Sequence, residues 1–351
     1  MTASSPIRAH HFGPHPGYAG GMGSVLLLLG QRGIGADSVT VHPTWVPDSH
    51  RQAARLTLSA LQAVARLDPD EIVHVHLSTR GSLARKGAIL AYASRRNLPT
   101  VVSLHGADFA EFADRNPWLV TRVLARGRVI TALSDDAAAA ARRLAPGATV
   151  RQVPNPILIP DRIAPASDTD SVALFAGEVG IRKGADVLER AWTIVHDALP
   201  RARCIVIGPD GDFVPQATDS LTVLPAAGPE AIGALLREAR VAVLPSRAEG
   251  MPMFLLEAMA AGRPFVSTPV GAIAQLADSG GMLVPVGDHE ALAVALIELL
   301  DDPGRAEQLG RRGQELCRET RSPELVDAIY REVYREAIQL ARARRPSRMS
   351  T

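Results

Sequence analysis

Two patterns of hydrophobic and polar positions alternate along this chain. Short apolar runs rich in β-branched residues, bounded by glycine, proline or histidine, read as buried strands, and longer stretches between them carry apolar residues at helical spacing. In the first half the pattern predicts strands at Pro6–His11, Ser38–Val41, Glu71–Leu77, Pro99–Leu104, Val129–Leu133 and Thr149–Val153. Helices are predicted from Ser24 onward and over His50–Arg66, Leu83–Ser94 and Asp135–Leu144. Ile157–Asp170, rich in proline, aspartate and alanine, reads as a linker. The second half repeats the alternation, with strands at Val172–Ala176, Arg203–Gly208, Leu221–Leu224, Val241–Ser246 and Pro264–Thr268. Its helices are expected at Ala185–His196, Pro229–Arg237, from Pro252, and over Asp288–Leu300, Gly304–Arg318 and Pro323–Ala343. Such alternation predicts an α/β fold of two doubly wound domains facing across a cleft, about residues 1–156 and 171–322.

The stretch Glu249-Gly250-Met251-Pro252-Met253-Phe254-Leu255-Leu256-Glu257 carries the densest chemistry. Pro252 suits a helix start, and Gly262 followed by Pro264 suits its end. Glu249 then lies in the loop before a helix, and Glu257 about five residues inside it, roughly 8 Å further along the axis. Between them the unpaired N–H groups of a first turn offer an anion site. Two carboxylates flanking an anion site fit a ligand with hydroxyls at both ends and a diphosphate between, the layout of a nucleotide-activated sugar. On spacing alone a second reading stands beside it, in which both glutamates complement the helix dipole at about 0.3–1 kcal/mol each.

Other candidates are scattered. The run Gly13–Gly23, with Gly20 and Gly21, is a glycine-rich loop after the first strand that can bring N–H groups to a phosphate or serve only as a flexible turn. His10, His11 and His15 lack a carboxylate or cysteine at ligand spacing, so no metal is assigned to them. His74 and His76 share one face of their strand and either line a pocket or meet solvent or backbone. Arg80, Arg85, Lys86, Arg95 and Arg96 form a solvated helix face or a patch for an anionic acceptor or a membrane surface. Asp210-Gly211-Asp212 has oxygen ligands for a divalent metal, but the composition of a tight turn. The tail Arg342–Pro346 is basic and expected to fray.

Composition narrows the classes. The chain has 351 residues, 46% hydrophobic and 21% charged, with a net charge of +1, so it supports two cores and gives no reason to expect nucleic acid. Its two cysteines, Cys204 and Cys317, sit in separate runs and suit a reducing, cytoplasmic setting. No secretory pattern opens the sequence, and its longest apolar run is far short of the roughly 20 residues that span a bilayer. Lysine occurs only at Lys86 and Lys183.

The run from Pro245-Ser246 through Glu249-Gly250, Pro252, Glu257-Ala258-Met259-Ala260, Gly262 and Pro264 resembles the signature of glycosyltransferase family 4, retaining enzymes of the GT-B fold that use nucleotide sugars. His105-Gly106-Ala107-Asp108 resembles that family's His-Gly-x-Asp, and Val153-Pro154-Asn155 the end of its first domain. Gly177 to Gly184 resembles its Gly-Arg-x-x-x-x-Lys-Gly loop, except that Glu178 stands where the family has arginine, leaving Arg182 to supply the charge. The resemblance implies transfer from a UDP- or GDP-linked sugar to an acceptor hydroxyl without a metal or other cofactor. It implies catalytic roles for Glu249 and His105, and donor binding by Gly20, Gly21, Arg182, Lys183, Gly250, Met251, Pro252, Met253 and Glu257. It also implies a last helix, 323–345, that crosses back onto the first domain. A sugar-nucleotide epimerase of the same fold, or a non-catalytic partner subunit, are the alternative readings.

Overall fold

The computed structural model describes residues 6–16, 20–46, 49–106 and 109–345, which divide into two compact units. One gathers the first strand, residues 22–156 and the C-terminal helix; the other gathers residues 157–322, with Gly20 and Gly21 grouped with it.

In the first unit β1 (Arg8–Pro14), β2 (Ser38–Trp45), β3 (Ile72–Leu77), β4 (Thr100–Leu104), β5 (Val129–Ala132) and β6 (Thr149–Gln152) form one parallel sheet in the order β2-β1-β3-β4-β5-β6. Its helices are α1 (Gly21–Arg32), α2 (His50–Arg66), α3 (Gly81–Arg95), α4 (Phe109–Arg115), α5 (Pro117–Leu124) and α6 (Asp135–Leu144). β3, β4 and β5 are buried along their whole length, as expected of central parallel strands covered on both faces. β1 runs further than its apolar pattern indicates, into the expected glycine loop, because Gly13 pairs with Pro43 and Thr44 Oγ1 donates to the Gly13 carbonyl at 2.9 Å. α4 and α5 were not expected. Each is only two turns long, too short for periodicity to show, and each is held by a few buried residues such as Phe109, Ala113, Val120 and Leu124.

The second unit has β7 (Val172–Ala176), β8 (Arg203–Ile207), β9 (Leu221–Leu224), β10 (Val241–Leu244), β11 (Phe265–Ser267) and β12 (Gly281–Leu283), all parallel, in the order β12-β11-β10-β7-β8-β9. Helices α7 (Ala185–Ala198), α8 (Pro229–Glu238), α9 (Met253–Ala260), α10 (Ala274–Gly280), α11 (His289–Asp301) and α12 (Pro303–Arg321) accompany them. The strand order reverses between β7 and β10, the switch point at whose carboxyl side doubly wound sheets take their ligands. Residues 157–170 run against α12: Ile157 N–H donates to the Arg321 carbonyl at 3.0 Å, and Ala166 is buried. Cys204 and Cys317 are both free and buried. No helix among the described residues is long and apolar enough to cross a membrane.

The last helix, α13 (Pro323–Ala343), belongs to the first unit and packs on β3, β4 and β5. Val326, Tyr330, Val333, Tyr334, Ala337 and Ala341 make its buried stripe. Asp327 accepts from Gly35 N–H at 2.7 Å, and Arg331 reaches Asp37 at 3.1 Å. The basic end does not fray as expected: Arg342 and Arg345 both bond Asp70, at 2.6 and 2.9 Å, while Pro346 lies outside the described residues. The docking is closest at Gly35, where φ is +86° and a Cβ would stand 2.5 Å from Tyr330 Cβ and 2.8 Å from Tyr334 Cε2. Gly35→Ala is therefore expected to cost about 2–4 kcal/mol through a left-handed backbone and overpacking. Gly147→Ala, with nothing within 4 Å, should cost under about 1 kcal/mol. Chemical denaturation of the two variants checks the difference.

Candidate functional site

Two loops leave the carboxyl ends of the neighbouring strands β7 and β10, and their side chains meet. Lys183 Nζ lies 2.5 Å from Glu249 Oε1, although the residues are 66 apart in sequence. Ser246 Oγ donates to the same oxygen at 2.8 Å, and Glu249 is only 7% exposed. Such a pair is stable in a water-poor place only where its hydrogen bonds are well made. Among the described residues Glu249 Oε2 has no partner, so one oxygen remains available to a ligand. Gly271, after β11, holds the loop from behind. Its φ is +57°, and a Cβ there would stand 1.9 Å from the Glu249 carbonyl oxygen. Ala272 N–H also donates to the Gly250 carbonyl at 2.9 Å.

The two loops are further tied by Arg247, which the sequence did not single out. Its guanidinium holds both oxygens of Asp186, at 2.7 and 2.8 Å, and donates to the Ile181 carbonyl. Its N–H donates to the Arg182 carbonyl at 2.9 Å. The Arg247 guanidinium holds the Asp186 carboxyl below its usual range. No local signal marks this pair, because its members are 61 residues apart. Arg182 itself pairs with Glu178 at 2.8 Å on the surface, so the acid that replaces the family's arginine already shares its charge. Asp212 accepts from Ile181 N–H at 2.8 Å, and Gly211 N–H donates to the Val179 carbonyl at 2.8 Å, so Asp210–Asp212 lies bonded along the loop after β7, with Asp210 in a parallel bridge to Val179, where a tight turn was expected.

Pro252 caps α9, Met251 and Met253 are buried beside it, and the Phe254 and Leu255 N–H groups of the first turn have no acceptor within the helix. Glu257 is the fifth residue of this helix. Burial pushes its carboxyl up to about 7, and no described residue bonds it.

His105 lies in the first unit, half-buried just past β4, with its backbone N–H donating to the Leu77 carbonyl at 2.8 Å. Its Nε2 is 2.9 Å from His76 Nδ1. Burial, then the charge of Lys86, lowers its pKa to about 3. His74 and His76 are fully buried and bond other side chains rather than solvent. Lys86 is not part of a surface patch. It is 3% exposed and donates to the His76 carbonyl and, at 2.9 Å, to Ser82 Oγ. Burial, then Arg85, lowers it to about 7. Arg96 is spent on the carbonyls of Val64 and Leu67 at the end of α2. Gly20 has φ +141° and Gly21 opens α1. The neighbouring residues 17–19, and Ala107 and Asp108 of the His-Gly motif, lie outside the described residues.

The family model for a "Glycosyl transferase 4-like domain" matches residues 8–156, and that for "Glycosyl transferases group 1" matches residues 170–302. D-inositol 3-phosphate glycosyltransferase 1 of Catenulispora acidiphila is 33% identical over 194 residues, covering 49% of this chain and 46% of that protein. The D-inositol 3-phosphate glycosyltransferase of Streptomyces avermitilis is 31% identical over 159 residues, covering 40% and 34%. The chain thus spans about a third to a half of the length of the curated relatives it matches. Among solved structures, Anabaena HepE in complex with UDP and glucose superposes with a TM-score of 0.71 at 16% identity, covering 93% of this chain and 99% of that one. Sucrose-phosphate synthase of Thermosynechococcus elongatus gives 0.69 at 19% identity, covering 96% and 100%. These two likenesses establish the GT-B fold.

The buried ionisable groups give the two units opposite pH responses. His11 and His105 fall to about 3 in the folded first unit, against 6.5 when unfolded, so the unfolded chain binds more protons between those values. Their stabilisation is fully present above pH 6.5 and is lost as pH falls toward 3, at about 1.4 kcal/mol per pH unit for each histidine. Glu257 rises from 4.5 to about 7, so its contribution is present below pH 4.5 and lost as pH rises through 7. Hydrogen exchange resolved by segment and corrected for intrinsic rates should show β3 losing protection from pH 7 to pH 5, while α9 gains it.

Proposed function

The chain belongs to the GT-B glycosyltransferases of family 4, and from this we propose that it transfers a sugar from a nucleoside-diphosphate sugar to an acceptor hydroxyl with retention of configuration. The observation that carries the reading is the Lys183–Glu249 contact at the switch point of β7 and β10. A diphosphate arriving there meets an ammonium, with Arg182 nearby in sequence and the first-turn N–H groups of α9 as further donors. Lys183 exchanges its bond to Glu249 for the phosphate, which frees the carboxylate to accept from the sugar's hydroxyls. Glu257, deeper in α9, takes the ribose. His105 is assigned a part in the transfer through the likeness of His105-Gly106 to the start of the family's His-Gly-x-Asp. No metal is assigned, since these cations and dipoles supply the charge the leaving diphosphate needs.

In the reaction we assign, the acceptor oxygen bonds the anomeric carbon on the face from which the diphosphate departs. The carbon–phosphate oxygen bond breaks, and the acceptor's proton passes to a phosphate oxygen of the leaving group. UDP is the first nucleotide to try, following the ligand of HepE, and a polyol hydroxyl is the first acceptor, following the names of the inositol phosphate relatives.

The two glutamates should separate on substitution. Glu249→Gln is expected to lower kcat by about 100-fold or more, on the scale of losing a contact that strengthens in the transition state, with UDP affinity nearly intact. Glu257→Gln should weaken UDP and donor together, with a smaller effect on kcat. Because Glu257 must ionise to accept the ribose hydroxyls, UDP affinity should rise with pH up to about 7, by as much as tenfold per unit, then level off. Glu257→Gln should abolish that rise. Steady-state kinetics and calorimetric titrations between pH 5.5 and 8 test both statements. Equal, small effects of the two substitutions would leave the glutamates as helix-dipole partners only.

A further inference from the structure

Four histidine rings in the first unit are strung on one line of hydrogen bonds. From His105 Nε2 it runs to His76 Nδ1 (2.9 Å), from His76 Nε2 to His11 Nδ1 (2.9 Å), and from His11 Nε2 to Tyr334 Oη (3.1 Å). Tyr334 Oη continues to His74 Nδ1 (2.8 Å), and His74 Nε2 to Ser103 Oγ (2.7 Å), which meets Thr131 Oγ1 at 2.6 Å. His11 lies on β1 and His74 and His76 on β3, the strands between which this sheet's order reverses, and Tyr334 comes from α13. Burial holds His11 and His105 at about 3, and His74 and His76 well below the usual value, so each ring is neutral at pH 7. A neutral imidazole has one N–H and one bare nitrogen, and the tyrosine has one proton to donate.

The Tyr334 oxygen has lone pairs enough to accept from both histidines, but no third partner among the described residues would then take its proton, so two arrangements of a fully bonded line remain. When Tyr334 donates to His11, His11 donates to His76 and His76 to His105, while His74 donates to Tyr334. Every ring then carries its proton on Nδ1. When Tyr334 donates to His74 instead, all donors reverse and every ring carries its proton on Nε2. His105 Nε2 is always inside the line, so only its Nδ1 is left for a ligand, as a donor in the first arrangement and an acceptor in the second.

We propose that His76, His11, Tyr334 and His74 are positioning residues that set which nitrogen of His105 carries the proton, and thus whether His105 Nδ1 offers a ligand a hydrogen-bond donor or acceptor. That His105 meets a ligand rests on the transfer reading above; the shared tautomer does not. Ring nitrogens of His11, His74 and His76 also lie within 4.8 Å of one another, a spread that invites a metal. But a metal would take lone pairs this line uses, no carboxylate among the described residues joins the group, and the Lys86 amine bonds the His76 carbonyl beside it.

Nitrogen-15 NMR of the full chain labelled on its histidine rings tests the proposal, since protonated and bare ring nitrogens resonate apart. In the wild type between pH 6 and 8, His11, His74, His76 and His105 should all show the same tautomer. Tyr334→Phe keeps the ring and removes the central hydroxyl, and His105 is then expected to lose its single tautomer. Ser103→Ala leaves the line joined from His105 to His74 but removes the acceptor that a His74 Nε2–H needs, so it should put all four rings in the Nδ1-protonated form, a readout that stands even where a Tyr334→Phe chain fails to fold. Mixed tautomers among the four rings in the wild type, a single His105 tautomer kept in folded Tyr334→Phe, or a His105 protonated on Nε2 in Ser103→Ala would overturn the proposal. So would stoichiometric zinc bound through these nitrogens after exhaustive dialysis against zinc. The readout needs no sugar, so failure of the line and failure of the transfer reading are told apart.

Discussion

The contact of the part-buried Lys183 ammonium with the buried Glu249 carboxylate is the constraint on which the second unit's site depends. Glu249 is largely withdrawn from water, and its close bonds to Lys183 and Ser246 offset the cost of that. Their loops are brought together because β7 and β10 are neighbours, and they are neighbours because the strand order reverses there. Arg247 and Gly271 then fix the loops from two sides, one by a paired carboxylate and one by lacking a side chain. On the proposed function, an incoming diphosphate does not need to create a cation site; it needs only to replace a carboxylate that already holds the cation in place.

The first unit solves a different problem. Its polar rings are buried among parallel strands, where unpaired polar groups are costly, and each is satisfied by the next. The C-terminal helix is part of that solution, since Tyr334 closes the line between His11 and His74. Residues from the end of the chain therefore complete the interior of a domain built from its beginning. Asp327, Arg331, Arg342 and Arg345 anchor the same helix at its rim, where individual ion pairs contribute little and the buried tyrosines carry the docking.

Most of the strand and helix order was legible, because long runs with period 2 or 3.6 survive without any knowledge of partners. His50–Arg66 and Pro323–Ala343 appear with the bounds their patterns indicate, and Glu257 sits five residues into α9. The short helices α4, α5 and α10 were not legible, since two turns give too few apolar positions to define a face. Lys86 was misread for a related reason: it lies on a helix with many charges, and only the tertiary packing turns its side chain inward onto His76. The Arg247–Asp186 clamp and the histidine line were invisible because their partners lie 61 and up to 323 residues apart. Glu178 was visible as a departure from the family's loop, but its pairing with Arg182 is set by how that loop folds.

The central claim is that the switch point of the second unit receives the nucleoside diphosphate, and hydrogen–deuterium exchange with and without saturating UDP locates it most directly. The account predicts slower exchange over residues 177–184, where Lys183 lies, and over 249–257 at the start of α9, with the Lys183→Ala variant losing that protection. Protection confined to other segments, or none at UDP concentrations that saturate the protein, would contradict it.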